Sequence, residues 1–202
     1  MGCGQSITAA YPIKKQSFSK IKKRHRRFSD NETSITFVEA SSERDKQLVR
    51  RTWRLMAVDL AGNGSKVFLR IFELRPELKQ LFPFRDVIGD ELMKNPTFKG
   101  HASRFMQAVG AAVDNIDDWE AAFSPLLLGL GRQHINFGGF KPEYFNAFAD
   151  SMMFIWEQVL GDRFTTEARC AWQGVFEFIM LKLKEGYAEA DTERNDNQNA
   201  KV

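Results

Sequence analysis

Two stretches, "HASRFMQAVGAAV" (101–113) and "FSPLLLGLGRQH" (123–134), decide how this chain is read. In the first, Ala102, Phe105, Val109 and Ala112 recur at intervals of three and four, with Phe98 one turn before them. In the second, Phe123, Leu127 and Leu130 do the same. That spacing marks one face of an α-helix, and no alternation of period two competes with it. Each stripe also carries an imidazole, His101 beside the first and His134 at the end of the second; the only other histidine, His25, lies far upstream. Consecutive helices joined by a tight corner, here "DNIDD" (114–118), run back side by side. Their apolar faces and both imidazoles are expected to converge on a shared cavity.

The same periodicity extends outward. Ser42 with Asp45 three residues on has the form of a capping box, and Leu48, Val49, Trp53, Met56 and Leu60 follow as a stripe. "AGNGS" (61–65) is expected to interrupt it, after which Val67, Phe68, Ile71 and Phe72 carry a second helix as far as Pro76. Asn95 before Pro96 starts a further helix, since proline is tolerated in the first turn. Pro142 opens the next, with Phe145, Phe148, Met152, Ile155 and Val159 on its face, and Gly161 closes it. Thr165 or Thr166 begins the last, whose stripe is Ala168, Trp172, Val175, Ile179 and Leu183, with Cys170 expected to be buried in that helix. The segment 189–202 has almost nothing apolar and reads as a disordered tail. The chain is therefore all-α, organised as an N-terminal extension (1–40), a helical domain (41–188) and the tail.

Charge divides along the same lines. The net +3 conceals eight Lys/Arg and no acid within residues 1–28, so the remaining 21 basic and 26 acidic residues leave the rest at −5. The body is not expected to seek nucleic acid; the head is built for an anionic surface. Met1-Gly2-Cys3 with Ser6 fits the myristoylation pattern, and Cys3 beside Gly2 is a place for a palmitoyl chain. Lys14, Lys15, Lys20, Lys22, Lys23, Arg24, Arg26 and Arg27 follow. One myristoyl chain holds a protein only marginally, so stable attachment takes a second signal, and each basic residue near an anionic leaflet adds about 1 kcal/mol. Reading "KKRHRR" as a nuclear-import patch leaves Gly2, Cys3 and Ser6 unused. Ser17, Ser19 and Ser29 in or beside the basic run are candidate phosphorylation sites that would weaken leaflet attraction. Two cysteines at opposite ends of the chain form no disulfide framework.

Two imidazoles facing one cavity can bind a flat metal cofactor from either side. Zinc, the competing metal, takes four ligands with Cys or carboxylate completing the set; Cys170 is the body's only thiol, and two histidines 33 positions apart do not make such a site. Haem supplies four nitrogens itself and asks the protein for axial ligands, and the abundant phenylalanines supply an apolar pocket.

Over 42–187 the chain resembles a globin. "TWRL" (52–55), "FLRIFELRPELKQLF" (68–82), "HASRFM" (101–106), "LGRQH" (130–134), "FGGFKPEYF" (137–145) and "AW" (171–172) carry the resemblance together. It implies the globin fold of six to eight helices around a pocket for haem b (iron protoporphyrin IX). It makes His134 the proximal ligand, His101 the distal histidine and Phe82 the ring that stacks on haem. Phe68 and Phe105 would wall the distal side and Phe140 and Phe145 the proximal side, while Arg104 would pair with a propionate. In character the chain is similar to the neuroglobin, cytoglobin and globin X types, in which the distal histidine commonly takes the sixth position on iron. Phe105 replaces a smaller aliphatic residue, so ligand access is expected to be tight. The head is also similar to that of globin X proteins with acylated starts. The resemblance thus implies a lipid-anchored globin on the cytoplasmic face of a membrane, the plasma membrane being the expected one. It would bind oxygen and other gas ligands, act in redox or oxygen sensing, and meet a reductase as partner. The alternative is a haem enzyme reducing nitrite or acting as a lipid-protecting peroxidase.

Overall fold

The computed structural model describes residues 42–200. Among them are seven α-helices and no strand: α1 Glu43–Met56, α2 Leu60–Leu74, α3 Asp90–Lys94, α4 Pro96–Asp114, α5 Ser124–Gln133, α6 Tyr144–Leu160 and α7 Thr166–Asn199. Their starts follow from local chemistry. The Ser42 hydroxyl accepts from the Asp45 amide while the Asp45 carboxylate accepts from the Ser42 amide, so two otherwise orphaned donors are satisfied at once. Asn95 accepts from the Phe98 amide ahead of Pro96, and Thr165 accepts from the Ala168 amide. Gly161, at φ +53°, ends α6 in a conformation that a side chain disfavours.

The helices wrap one core. α2 and α4 cross where Gly64 leaves room for a backbone: a Cβ there would lie 2.6 Å from the Ala102 carbonyl oxygen. α1 lies against α6 and α7 through three indoles, with Trp156 and Trp172 centroids 5.3 Å apart and Trp53 6.4 and 6.3 Å from them. Thr52 ties this cluster together. Its hydroxyl accepts from Trp172 Nε1 at 2.8 Å and donates to the Leu48 carbonyl at 2.7 Å, so a buried indole N–H is satisfied by a buried side chain. No helix among the described residues is long and apolar enough to cross a membrane.

Four details differ from the sequence reading. The break after α1 falls at Ala57–Asp59, not at 61–65, which is helical. Asp59 caps α2 by accepting from the Gly62 amide, and buried Asn63 donates to the Met56 carbonyl. The small residues of "AGNGS" thus mark a helix face pressed against α4, not a loop. The chain from 189 to Asn199 continues α7 instead of forming a disordered tail. No glycine or proline follows Gly186 there, and a helix already nucleated by packing gains one backbone bond per added residue. Arg132 also reaches across from α5 to Glu189 and Glu193. Cys170 is exposed, being offset from the buried stripe through Ala168 and Trp172. α6 begins at Tyr144, two residues after Pro142.

Thr52→Val keeps the shape of the side chain but leaves Trp172 Nε1 without an acceptor. This change should lower stability by about 1–3 kcal/mol in denaturant unfolding.

Candidate functional site

One cavity of about 490 Å³ is bounded by α2, α4, α5, α6, α7 and the turns beside them. This lies within the roughly 300–1,000 Å³ typical of small-molecule and cofactor sites. Its lining is apolar apart from His101, Arg104, Gln133 and His134. α4 brings His101 and, one turn on, Arg104 and Phe105. α2 contributes Phe68, the turn after it Phe82, and α6 Phe145, Phe148 and Met152, while α7 closes the wall with Ile179, Met180 and Leu183.

The two imidazoles have distinct surroundings. His101 meets Phe68 and Phe82 edge-on, each with centroids 5.0 Å away. His134 is the residue that caps α5, and it is set among Phe140 at 4.8 Å, Phe145 at 4.9 Å and Phe137 at 5.6 Å. Its Nδ1 lies 2.7 Å from the Leu130 carbonyl oxygen. A carbonyl can only accept, so Nδ1 carries the proton and Nε2 keeps its lone pair. Burial lowers the pKa of His134 against the opposing pull of that hydrogen bond. Burial, then the positive charge of Arg104 and, at pH low enough to protonate it, that of His134, hold His101 down to about 4. Both rings are therefore neutral at pH 7, the form in which imidazole binds a metal.

The corner between α5 and α6 is held from α7. The Tyr187 hydroxyl donates to the Phe140 carbonyl at 3.2 Å, and Lys184 Nζ donates to Asn146 Oδ1 at 2.7 Å. On the other side Phe82 stacks on Phe84 at 5.0 Å and 17° between planes. Phe105 packs against Phe68 at 5.3 Å and Phe148 at 5.7 Å, narrowing the cavity beside His101.

The structure brings Phe68, Phe82, His101, Arg104, Phe105, His134, Phe140 and Phe145 to this one cavity. Gly2, Cys3 and the basic segment lie outside the described residues. Phe148, Met152, Ile179 and Leu183, which the sequence pattern marks only as helix-face residues, also line the cavity, as does Met180, which lies off the stripe. Phe148 could have been found from its position three residues after Phe145, on the same side of the helix.

The family model described as Globin matches residues 65–183, more than half of the chain. The chain is a globin. Neuroglobin of Tetraodon nigroviridis is 30% identical over 161 residues, spanning 79% of this globin and all of the relative. Neuroglobin of Danio rerio is 31% identical over 154 residues, spanning 75% and 96%. Among solved structures, a hexacoordinated heme protein from an anhydrobiotic tardigrade at pH 4 superposes with a TM-score of 0.69. It shares 25% identity, over 74% of this globin and 96% of that chain.

Phe145 is buried to within 1% and packs on His134. Phe145→Ala should cost about 3–5 kcal/mol in denaturant unfolding, because the ring it removes is wall to both core and cavity.

Proposed function

We propose that this globin binds haem b between His134, the proximal ligand, and His101, which takes the sixth position. The observation that carries this reading is a pair of neutral imidazoles, borne by different helices, lining one apolar cavity. The donor set suits a metal that brings its own equatorial nitrogens. No group of three or more His, Cys, Asp or Glu that could hold a bare ion exists among the described residues. The hexacoordinated heme protein that superposes on this chain supports the same reading.

Bound haem supplies an iron that exchanges electrons and takes diatomic ligands. The chain's residues set the terms. Leu130 fixes the tautomer and orientation of His134 through its carbonyl, the kind of outer-shell contact that tunes a metal ligand. Phe140 and Phe145 pack on that ring and shield it from water, and Phe68 and Phe82 do the same for His101. Arg104 is the cation of the lining, available to a carboxylate at the cavity edge. Because His101 occupies the place an external ligand needs, measured affinity equals the intrinsic affinity reduced by the fraction of time that ring stands aside. Oxygen and other small gases are the ligands, and the role is redox or oxygen sensing with a reductase as electron source.

The head supports a site of action. Gly2 and Cys3 as acyl acceptors, followed by eight basic residues without an acid, supply two attachment signals, as stable lipid anchoring requires. Our proposal is therefore a globin of the globin X type working at the cytoplasmic face of the plasma membrane. A carrier fixed there cannot diffuse with its cargo, which favours sensing over bulk transport.

Absorption spectra with added haem test the first part. The expected result is a Soret band and a low-spin ferrous spectrum, high-spin in His101→Ala and lost in His134→Ala; no Soret band in the unmodified protein would overturn the reading. For the head, Gly2→Ala should shift the protein from the membrane to the soluble fraction of cells. An unchanged partition would remove the anchor from the account.

A further inference from the structure

α5 and α7 meet backbone to backbone. A Cβ on Gly131 would lie 2.1 Å from the Leu183 carbonyl oxygen, and one on Gly186 would lie 2.1 Å from the Leu128 carbonyl oxygen. No side chain fits at either distance unless a backbone moves. The contact is reciprocal: each glycine stands three residues after the carbonyl that receives the other helix's glycine. Both glycines are buried. Gly129, on the same helix, faces open space with nothing within 4 Å of its would-be Cβ.

This crossing adjoins the proximal side of the cavity. His134 caps α5 three residues beyond Gly131, and its Nδ1–H is tied to Leu130, the residue immediately before Gly131. Leu183, whose carbonyl receives Gly131, lines the same cavity as His134. The depth at which α5 seats on α7 therefore sets where the imidazole stands. Arg132 adds pairs to Glu189 and Glu193 on the outer side, but these are solvent-exposed and hold weakly. The glycine contact is the seat.

We propose that Gly131 and Gly186 are positioning residues for His134: by lacking side chains they let α5 settle onto α7, and this fixes the proximal imidazole in the cavity. A methyl group at either position lifts α5 off α7 and carries His134 with it. The proposal deepens the haem reading, yet one arm of its test does not depend on haem.

With only three histidines in the chain, the ring resonances of His134 can be followed by NMR in the haem-free full-length protein. Gly131→Ala and Gly186→Ala, made separately on the two helices, should each shift the His134 resonances while circular dichroism shows the helices intact. Gly129→Ala should leave those resonances where they are. Unmoved His134 resonances in both variants would overturn the proposal. So would equal movement in Gly129→Ala, or loss of the folded signal in both variants, which would make the crossing purely architectural. In the haem-loaded protein, the ferrous iron–imidazole stretch in a His101→Ala background should shift in Gly131→Ala and Gly186→Ala but not in Gly129→Ala. Haem loss should be roughly tenfold faster or more, the scale on which outer-shell partners act. If the unmodified protein takes up no haem, the haem reading fails while the NMR measurement still decides the glycine seat.

Discussion

Removal of water from two imidazoles inside one phenylalanine-lined cavity is the constraint to which the remaining architecture answers. A charged imidazole is disfavoured there, so both rings stay neutral and keep a lone pair. Holding them in place demands helices that approach closely, and each ring stands beside such an approach. His101 precedes Ala102, whose carbonyl receives Gly64 of α2, and His134 follows the crossing of α5 with α7. The cavity is bounded by helices whose backbones are in contact, which limits how far either imidazole can drift. Close packing transmits displacement instead of absorbing it.

Much of this was legible in the sequence because helical periodicity and the cavity share a cause. Residues that recur at three and four face inward, and where two such faces meet, whatever polar group lies on them faces inward too. His101 and His134 were found that way, as were Phe105 and Phe145. Three features escape the pattern because their meaning depends on a partner that the local sequence does not show. Gly62 and Gly64 look like a loop until Asp59 is seen capping the helix at Gly62 and α4 pressing on Gly64. The polar run after Glu189 looks unstructured if burial is taken as the only support for a helix, although α7 is nucleated by the packed residues before it. The apolarity of its neighbours suggests a buried Cys170, yet it falls between the buried positions of its turn.

The match to the globin family ends at residue 183, whereas α7 runs on to Asn199. That continuation is not inert in the fold. Tyr187 and Lys184 hold the corner after His134, and Glu189 and Glu193 meet Arg132 on α5. The proximal half of the cavity is thus braced from a stretch of helix beyond the family match, while the distal half depends on α2 and α4.

The grouping of the indoles has an optical consequence. Of the four tryptophans, Trp53, Trp156 and Trp172 share one cluster, while Trp119 stacks separately on Phe178 at 4.9 Å. None of the four lines the cavity. Three of the four ultraviolet-absorbing indoles therefore sit where α1 meets α6 and α7, a fixed place in the core, and together they act as a built-in lamp. A coloured occupant of the cavity would dim that lamp by energy transfer without touching a single indole.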